Sequence, residues 1–252
     1  MGAAYKIPQL GVVLLVGLLA SCASRPVRPP PPPAPVPAPA PAPTGKPEGR
    51  EFRVDGPSSL LTIQVYKGGA LSRAGHNHVI ASHTLRGVAY VPDDPLRAGF
   101  DVHMKVDELV VDEEDLRQEA GPDFPPGVPE EARLGTKRNM LSEALLDAER
   151  YPEIVLQSEA MQRGPDGGLE AQVRVVVRDR AASVIVPLKY DLRGDELDVQ
   201  GAIALKQTDL GLTPYSLFGG ALRVQDEIKV RFRIVAHAVD SAAAPDASSP
   251  PR

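Results

Sequence analysis

Ile228-Lys229-Val230-Arg231-Phe232-Arg233-Ile234 decides the fold class, because an apolar residue occupies every second position and a cation stands between each pair. Successive side chains point to opposite faces of a strand, so this run has one dry face and one wet face. The same period recurs upstream. Phe100, Val102, Met104 and Val106 alternate with Asp101, His103 and Lys105; Leu169, Ala171, Val173, Val175 and Val177 repeat the pattern, as do Leu61, Ile63 and Val65. Gly68-Gly69, Pro92-Asp93-Asp94, Asp166-Gly167-Gly168 and Arg193-Gly194-Asp195 separate the runs as turns. The count comes to roughly eight strands between Phe52 and Val239, each half-buried in the manner of antiparallel sheets. Such strands close into a barrel or stack as a sandwich, and periodicity alone does not choose.

One stretch reads as helix. Thr136 to Ala148 carries strong helix formers, with Met140, Leu141, Leu145 and Leu146 near one-turn spacing, and Tyr151-Pro152 ends it.

Composition narrows the function. The chain has 252 residues, a formal net charge of −5 and no Trp. It lacks the basic face of a nucleic-acid binder and has few aromatics for stacking on single strands. The single cysteine, Cys22, excludes an intramolecular disulfide and a Cys-based zinc site.

The first fifty residues read as an address and a tether. Lys6 precedes a short apolar run, Leu10 to Leu19, too short for a membrane-spanning helix of about 20 residues and suited to a signal-peptide core. Leu19-Ala20-Ser21-Cys22 resembles the lipobox of bacterial lipoproteins, which implies cleavage after residue 21 and a lipid on Cys22. Ala23 follows the anchor where an Asp would favour retention, which by analogy points to the outer membrane, facing the periplasm. From Arg25 to Pro47 the chain is nearly all Pro and Ala, with Pro29 to Pro33 unbroken. It is expected to be a disordered linker of extended polyproline II character. The expected division is 1–21 signal peptide, 22–50 lipidated Cys and linker, 51–240 barrel domain, and 241–252 a disordered tail rich in Ala, Ser and Pro.

The run from Met140 to Ser158, with Tyr151-Pro152-Glu153-Ile154-Val155-Leu156-Gln157-Ser158 at its end, resembles the central signature of the YceI-like family. Lys206-Gln207-Thr208-Asp209-Leu210-Gly211-Leu212 is similar to a later segment of that family, and Phe52-Arg53-Val54-Asp55 with Ser58-Ser59 fits its first strand. The resemblance spans about Glu51 to Val239. It implies an all-β fold, an antiparallel eight-stranded lipocalin-like barrel with one short helix, and a periplasmic protein that binds polyisoprenoid-type amphiphiles. The chain departs from the pattern at Leu145, Leu146, Leu156 and Leu210, where the family often has aromatics. It departs again at Asp179-Arg180-Ala181 in place of a Gly-rich turn, and in an acidic, Pro-containing insertion from Asp112 to Arg133.

The apolar strand faces supply the candidate ligand-binding residues: Ile63, Val65, Phe100, Val102, Met104, Ile154, Leu156, Val173, Val175, Val184, Val186, Ile203, Phe232 and Ile234. An eight-stranded barrel is wide enough to be filled by side chains or to hold one slender ligand. The expected ligand is a polyisoprenoid, an isoprenoid quinone or a fatty-acyl chain, held without a further cofactor. A rival lies in Gly75-His76-Asn77-His78, which places two imidazoles on one strand face, where a third donor would complete a divalent-metal or redox-associated site. His83 and His103 lie elsewhere in the first half of the domain. Catalysis has little to build on, since no Gly-x-Ser-x-Gly elbow, P-loop or dinucleotide fingerprint is present. The carboxylate run Asp112-Glu113-Glu114-Asp115 reads as a solvated loop. A hydrolase or an empty structural barrel stays as an alternative, and the oligomeric state is open, a homodimer among the options.

Overall fold

The computed structural model describes residues 48–239. The signal segment, Cys22, the Pro/Ala linker and the tail lie outside the described residues.

Within them the chain forms β1 (Arg50–Gly68), β2 (His78–Ser82), β3 (Arg86–Val91), β4 (Gly99–Lys105), β5 (Val110–Val111), α1 (Glu114–Ala120) and α2 (Glu130–Leu141). It continues through β6 (Glu153–Arg163), β7 (Leu169–Val177), β8 (Arg180–Arg193), β9 (Glu196–Lys206), β10 (Ser216–Leu217) and β11 (Leu222–Ala238). Eight of these strands close a barrel in the hydrogen-bonded order β1-β3-β4-β6-β7-β8-β9-β11 and back to β1, every pair antiparallel. The turns that separate these strands include all four that the sequence marked.

Closure is made by the first and last long strands, with Phe52 opposite Ala238 and Ile63 opposite Val230. Between Asp55 and Leu60 the register of β1 shifts. The buried Ser59 staples this bulge: its hydroxyl donates to the Asp55 carbonyl (2.6 Å) and accepts from the Val235 N–H (3.0 Å). A hydroxyl so placed costs little, because its bonds are made.

β2, β5 and both helices form an annex beside the barrel. On the side of β1 away from β11, β3 pairs with residues 50–53 and β2 with residues 61–65. β5 pairs with β2, α1 packs on β2, and α2 packs on β5.

The helical content differs from the expected single helix over 136–148. α2 begins earlier and stops at Leu141, and α1 is a second helix inside the acidic insertion. α2 stops at Ser142, whose backbone turns extended while its hydroxyl donates back to the Asn139 carbonyl (2.6 Å), and Asp147 further on adopts a left-handed φ of 50°. The carbonyls of Met140 and Leu141 then accept from the N–H groups of Leu146 and Ala148, folding 142–148 into a compact turn. Met140 and Leu146 are buried in the main core, so the apolar spacing was real but served a turn.

The insertion from Asp112 to Arg133 is likewise a built element. Phe124 and Val128 are buried within it, and the Phe124 ring meets that of Tyr66 edge-on at 5.3 Å. Asp112, read as part of a solvated run, is 1% exposed.

Candidate functional site

The inward faces of the barrel strands surround an elongated cavity of about 230 Å³. It runs from Tyr90, Pro95 and Tyr190 at the end carrying the β3–β4 and β8–β9 turns to Val177, Leu205 and Leu210 at the other. Period-two alternation explains the lining. Val184, Val186 and Leu188 on β8, and Ile203 and Leu205 on β9, point inward, yet they are only half-buried, because open space rather than another side chain faces them.

Every ligand-binding residue expected from sequence lines this cavity except Val65. Val65 packs against the core beyond it, at the register shift between Val65 and Lys67 where β1 leaves the regular ladder. Sequence reasoning passed over Tyr90 and Tyr190, whose phenols are the only polar side-chain groups among the lining residues described. Among the described residues no charged side chain lines it. Gly201, opposite Phe232 across β9 and β11, also has a role in the wall. A Cβ there would strike the Phe232 ring and come 2.7 Å from the Pro187 carbonyl oxygen, so glycine is what lets the ring stand in the lining.

A larger depression of about 820 Å³ is more open to solvent and mixes apolar residues with Lys189, Arg231, Arg233, Glu119 and Glu170. It lacks the enclosure that would remove a ligand from water. The barrel cavity is therefore the stronger candidate.

The histidines are arranged otherwise than expected. β2 starts at His78, and His76 lies before it in irregular chain, so the two do not share a strand face. The reason is local: the Asn77 side-chain oxygen accepts from the Lys67 N–H (2.9 Å) and its amide donates to the Asp123 carbonyl (2.8 Å), pinning the chain before the ladder begins. The rings of His76 and His78 stand 6.2 Å apart, edge to face. His78 Nδ1 is 2.6 Å from Asp112 Oδ2, and Nε2 is 3.3 Å from Thr136 Oγ1. Asp112 also accepts from the Val79 N–H (2.9 Å) and from the buried Arg117 guanidinium (2.5 Å). Arg117 donates further to the carbonyls of Pro125 and Asn77.

This network is a clamp whose partners are occupied. Burial pushes the Asp112 carboxyl up, but the bonds from His78, the Val79 N–H and Arg117 outweigh it and hold the group below the ordinary carboxylate range. Partial burial, with His78, Lys67 and Arg117 nearby, lowers the pKa of His76. A cationic neighbourhood opposes a bound cation, and no group of three His, Cys, Asp or Glu among the described residues is placed to hold one. His83 instead meets Glu113 at 2.8 Å, and His103 meets Asp101 at 2.8 Å.

The order Thr136–His78–Asp112 has the connectivity of a nucleophile, base and orienting acid. Thr136 sits in the interior of α2, however, where backbone N–H groups are engaged in the helix and are not free to stabilise an oxyanion.

A family model described as a YceI-like domain matches residues 70–236. The match begins after β1, so the segment around Phe52–Asp55 lies outside it. No curated protein matches the sequence. Among solved structures, Burkholderia cenocepacia BcnA is similar at a TM-score of 0.51 and 15% identity, covering 72% of this chain and 98% of that one. A polyisoprenoid binding domain from Saccharophagus degradans is similar at a TM-score of 0.49 and 12% identity, covering 75% of this chain and 98% of that one.

Proposed function

Because the chain belongs to the YceI-like family, whose domain it carries over residues 70–236, we propose that its barrel binds and carries an apolar amphiphile. The observation that supports this most strongly is a cavity lined by aliphatic and aromatic side chains, with two phenols and no charge. Each Å² of apolar ligand surface taken from water into such a lining contributes about 25 cal/mol. An engineered apolar cavity of about 150 Å³ stays dry and takes up benzene, so an apolar void of this kind favours an apolar guest over water. A charged head group stays outside, since the lining offers it no counter-charge and burying it unpaired costs more than a short chain returns. A polyisoprenoid, an isoprenoid quinone or a fatty-acyl chain has the required form. Tyr90 and Tyr190, towards one end of the cavity, suit a ligand with a neutral acceptor such as a quinone carbonyl.

Binding is non-covalent and involves no catalytic step. The protein works at the bacterial cell envelope: residues 1–21 direct export, Cys22 carries the lipid, and the Pro/Ala segment joins that anchor to the barrel. Its place is the periplasmic side of the outer membrane. What supports this part is the sequence alone, the apolar run before Leu19-Ala20-Ser21-Cys22 and the Pro/Ala segment after it.

The test is native mass spectrometry of protein purified from a bacterial host, before and after extraction with organic solvent. The expected result is an adduct of isoprenoid or long-chain quinone mass that extraction removes. A protein that comes empty from hosts rich in these lipids, and takes up no added isoprenoid quinone, would refute the reading.

A further inference from the structure

Two loops meet at the end of the barrel opposite Tyr90 and Tyr190. The first follows β1 and holds Leu71 and Arg73; the second runs from Gly211 through β10 to the start of β11. The Leu71 N–H donates to the Ala221 carbonyl at 2.7 Å, and β10 pairs Leu217 with Leu222 and Ser216 with Arg223. At their shared tip stands Phe218, 76% exposed, with Leu71 at 49% and Leu217 at 39%.

Phe218 also has a φ of 52°, followed by Gly219 at 65° and Gly220 at 91°. A left-handed backbone is unfavourable for a bulky side chain, and the glycines beside it permit the turn. The most exposed large apolar residue among the described residues is thus held in a strained conformation, with little burial inside the domain to compensate. Strain of this kind persists where function uses it.

Charge identifies what the tip meets. The segments 67–75 and 214–224 contain Lys67, Arg73 and Arg223 and no Asp or Glu, in a chain whose net charge is −5. Lys67 pairs with Val224 and Gly68 with Arg223 across β1 and β11, and Arg73 follows in the loop after β1, so these cations lie at the same end of the barrel as the apolar tip. An aromatic residue and two leucines at an end of the barrel that also carries three cations suit the interface of an anionic bilayer, where the rings sit at head-group level and each Lys or Arg adds attraction.

We propose that the Leu71–Leu217–Phe218 tip inserts into the head-group region of an anionic lipid membrane, guided by Arg73, Arg223 and Lys67. The loop that carries Phe218 also carries Leu212, which packs on the main core next to cavity-lining Leu210. The docked end of the barrel is therefore the end that this loop covers. The inference needs no ligand in the cavity, so it stands or falls separately from the carrier reading.

Because the chain has no Trp, Phe218→Trp creates a single indole at the tip. Its emission is recorded on the full chain with vesicles of phosphatidylglycerol and phosphatidylcholine in equal parts, and with phosphatidylcholine alone. Ile185→Trp, on the exposed outer face of β8, is the control for contact by any other segment. Insertion predicts a blue shift for Phe218→Trp on the anionic vesicles, little on the neutral ones, none for Ile185→Trp, and loss of the shift when Arg73→Gln and Arg223→Gln are added. No shift on anionic vesicles, or equal shifts at both positions, overturns the proposal. A shift produced by lipid-free membrane proteins but not by vesicles overturns it in favour of a protein partner.

Discussion

The barrel interior and the annex handle burial in opposite ways. The interior is lined by apolar groups and left partly unfilled: β8 and β9 hold Val184, Leu188 and Ile203 half-buried around a void. The annex is crowded and polar: Arg117 of α1, Asp112 and His78 form a network, the first two almost fully buried and tied to backbone and to each other. A void lined almost wholly by apolar groups, with two phenols towards one end, has little claim on water and remains available to a guest. A buried charge network has no such freedom, because each group left unpaired carries a desolvation cost. Substitutions should therefore separate the two regions by stability on one side and ligand uptake on the other.

The largest effect belongs to the clamp. Asp112→Ala strands Arg117, which is 1% exposed, and removing one partner of such a pair costs about 3–5 kcal/mol. At about 2–4 °C per kcal/mol for a domain of this size, thermal unfolding should move down by roughly 6–20 °C. Calorimetry showing a change within one or two degrees would break the comparison at its strongest point.

Next comes a matched pair. Leu85, fully buried in the main core, should lose about 2–5 kcal/mol on substitution by Ala, because a new cavity forms. Leu188→Ala only enlarges an existing void and forfeits the contacts on one side, so about 1 kcal/mol is expected. Denaturant titration of the two variants measures the difference, and equal losses would mean that the interior is as tightly packed as the core. Val184→Phe adds volume to the void: it should cost about 1 kcal/mol or less while abolishing uptake of an isoprenoid quinone, whereas overpacking at filled Val106 should cost about 1–3 kcal/mol. Retained uptake in Val184→Phe would place the ligand elsewhere.

The two regions also differed in how far the sequence disclosed them. Alternation is a local signal, and it assigned the inward set from Ile63 to Ile234 with Val65 as the exception. Closure is not local. It depends on β1 pairing with β11, and strand period says nothing about that partner; the family resemblance supplied the barrel. The clamp was hidden because Asp112 stands first in a run of four acids, while its partners are His78, far back in the chain, and Arg117. One clue was present: Phe124 and Val128 sit among prolines and glycines, and buried apolar residues in an acidic insertion argue against a solvated loop. α2 was read only over its second half, from Thr136, because Glu130–Gly135 has little apolar periodicity of its own, and α1 was missed altogether within the acidic run.

The smallest expected effect concerns acid. The folded Asp112 carboxyl lies below the ordinary value of about 4 because His78, the Val79 N–H and Arg117 stabilise its charged form. A carboxyl depressed on folding contributes stability that is fully present above the unfolded value and lost as pH falls through the folded one. The wild type should therefore lose this part of its stability only below about pH 4, and Asp112→Asn, which keeps the shape but cannot titrate, should show a shallower decline over that window. Parallel acid-unfolding curves for the two proteins would mean that the clamp holds by shape and hydrogen bonding alone. A steeper wild-type curve would fix its charge as what sets the annex apart from the uncharged interior of the barrel.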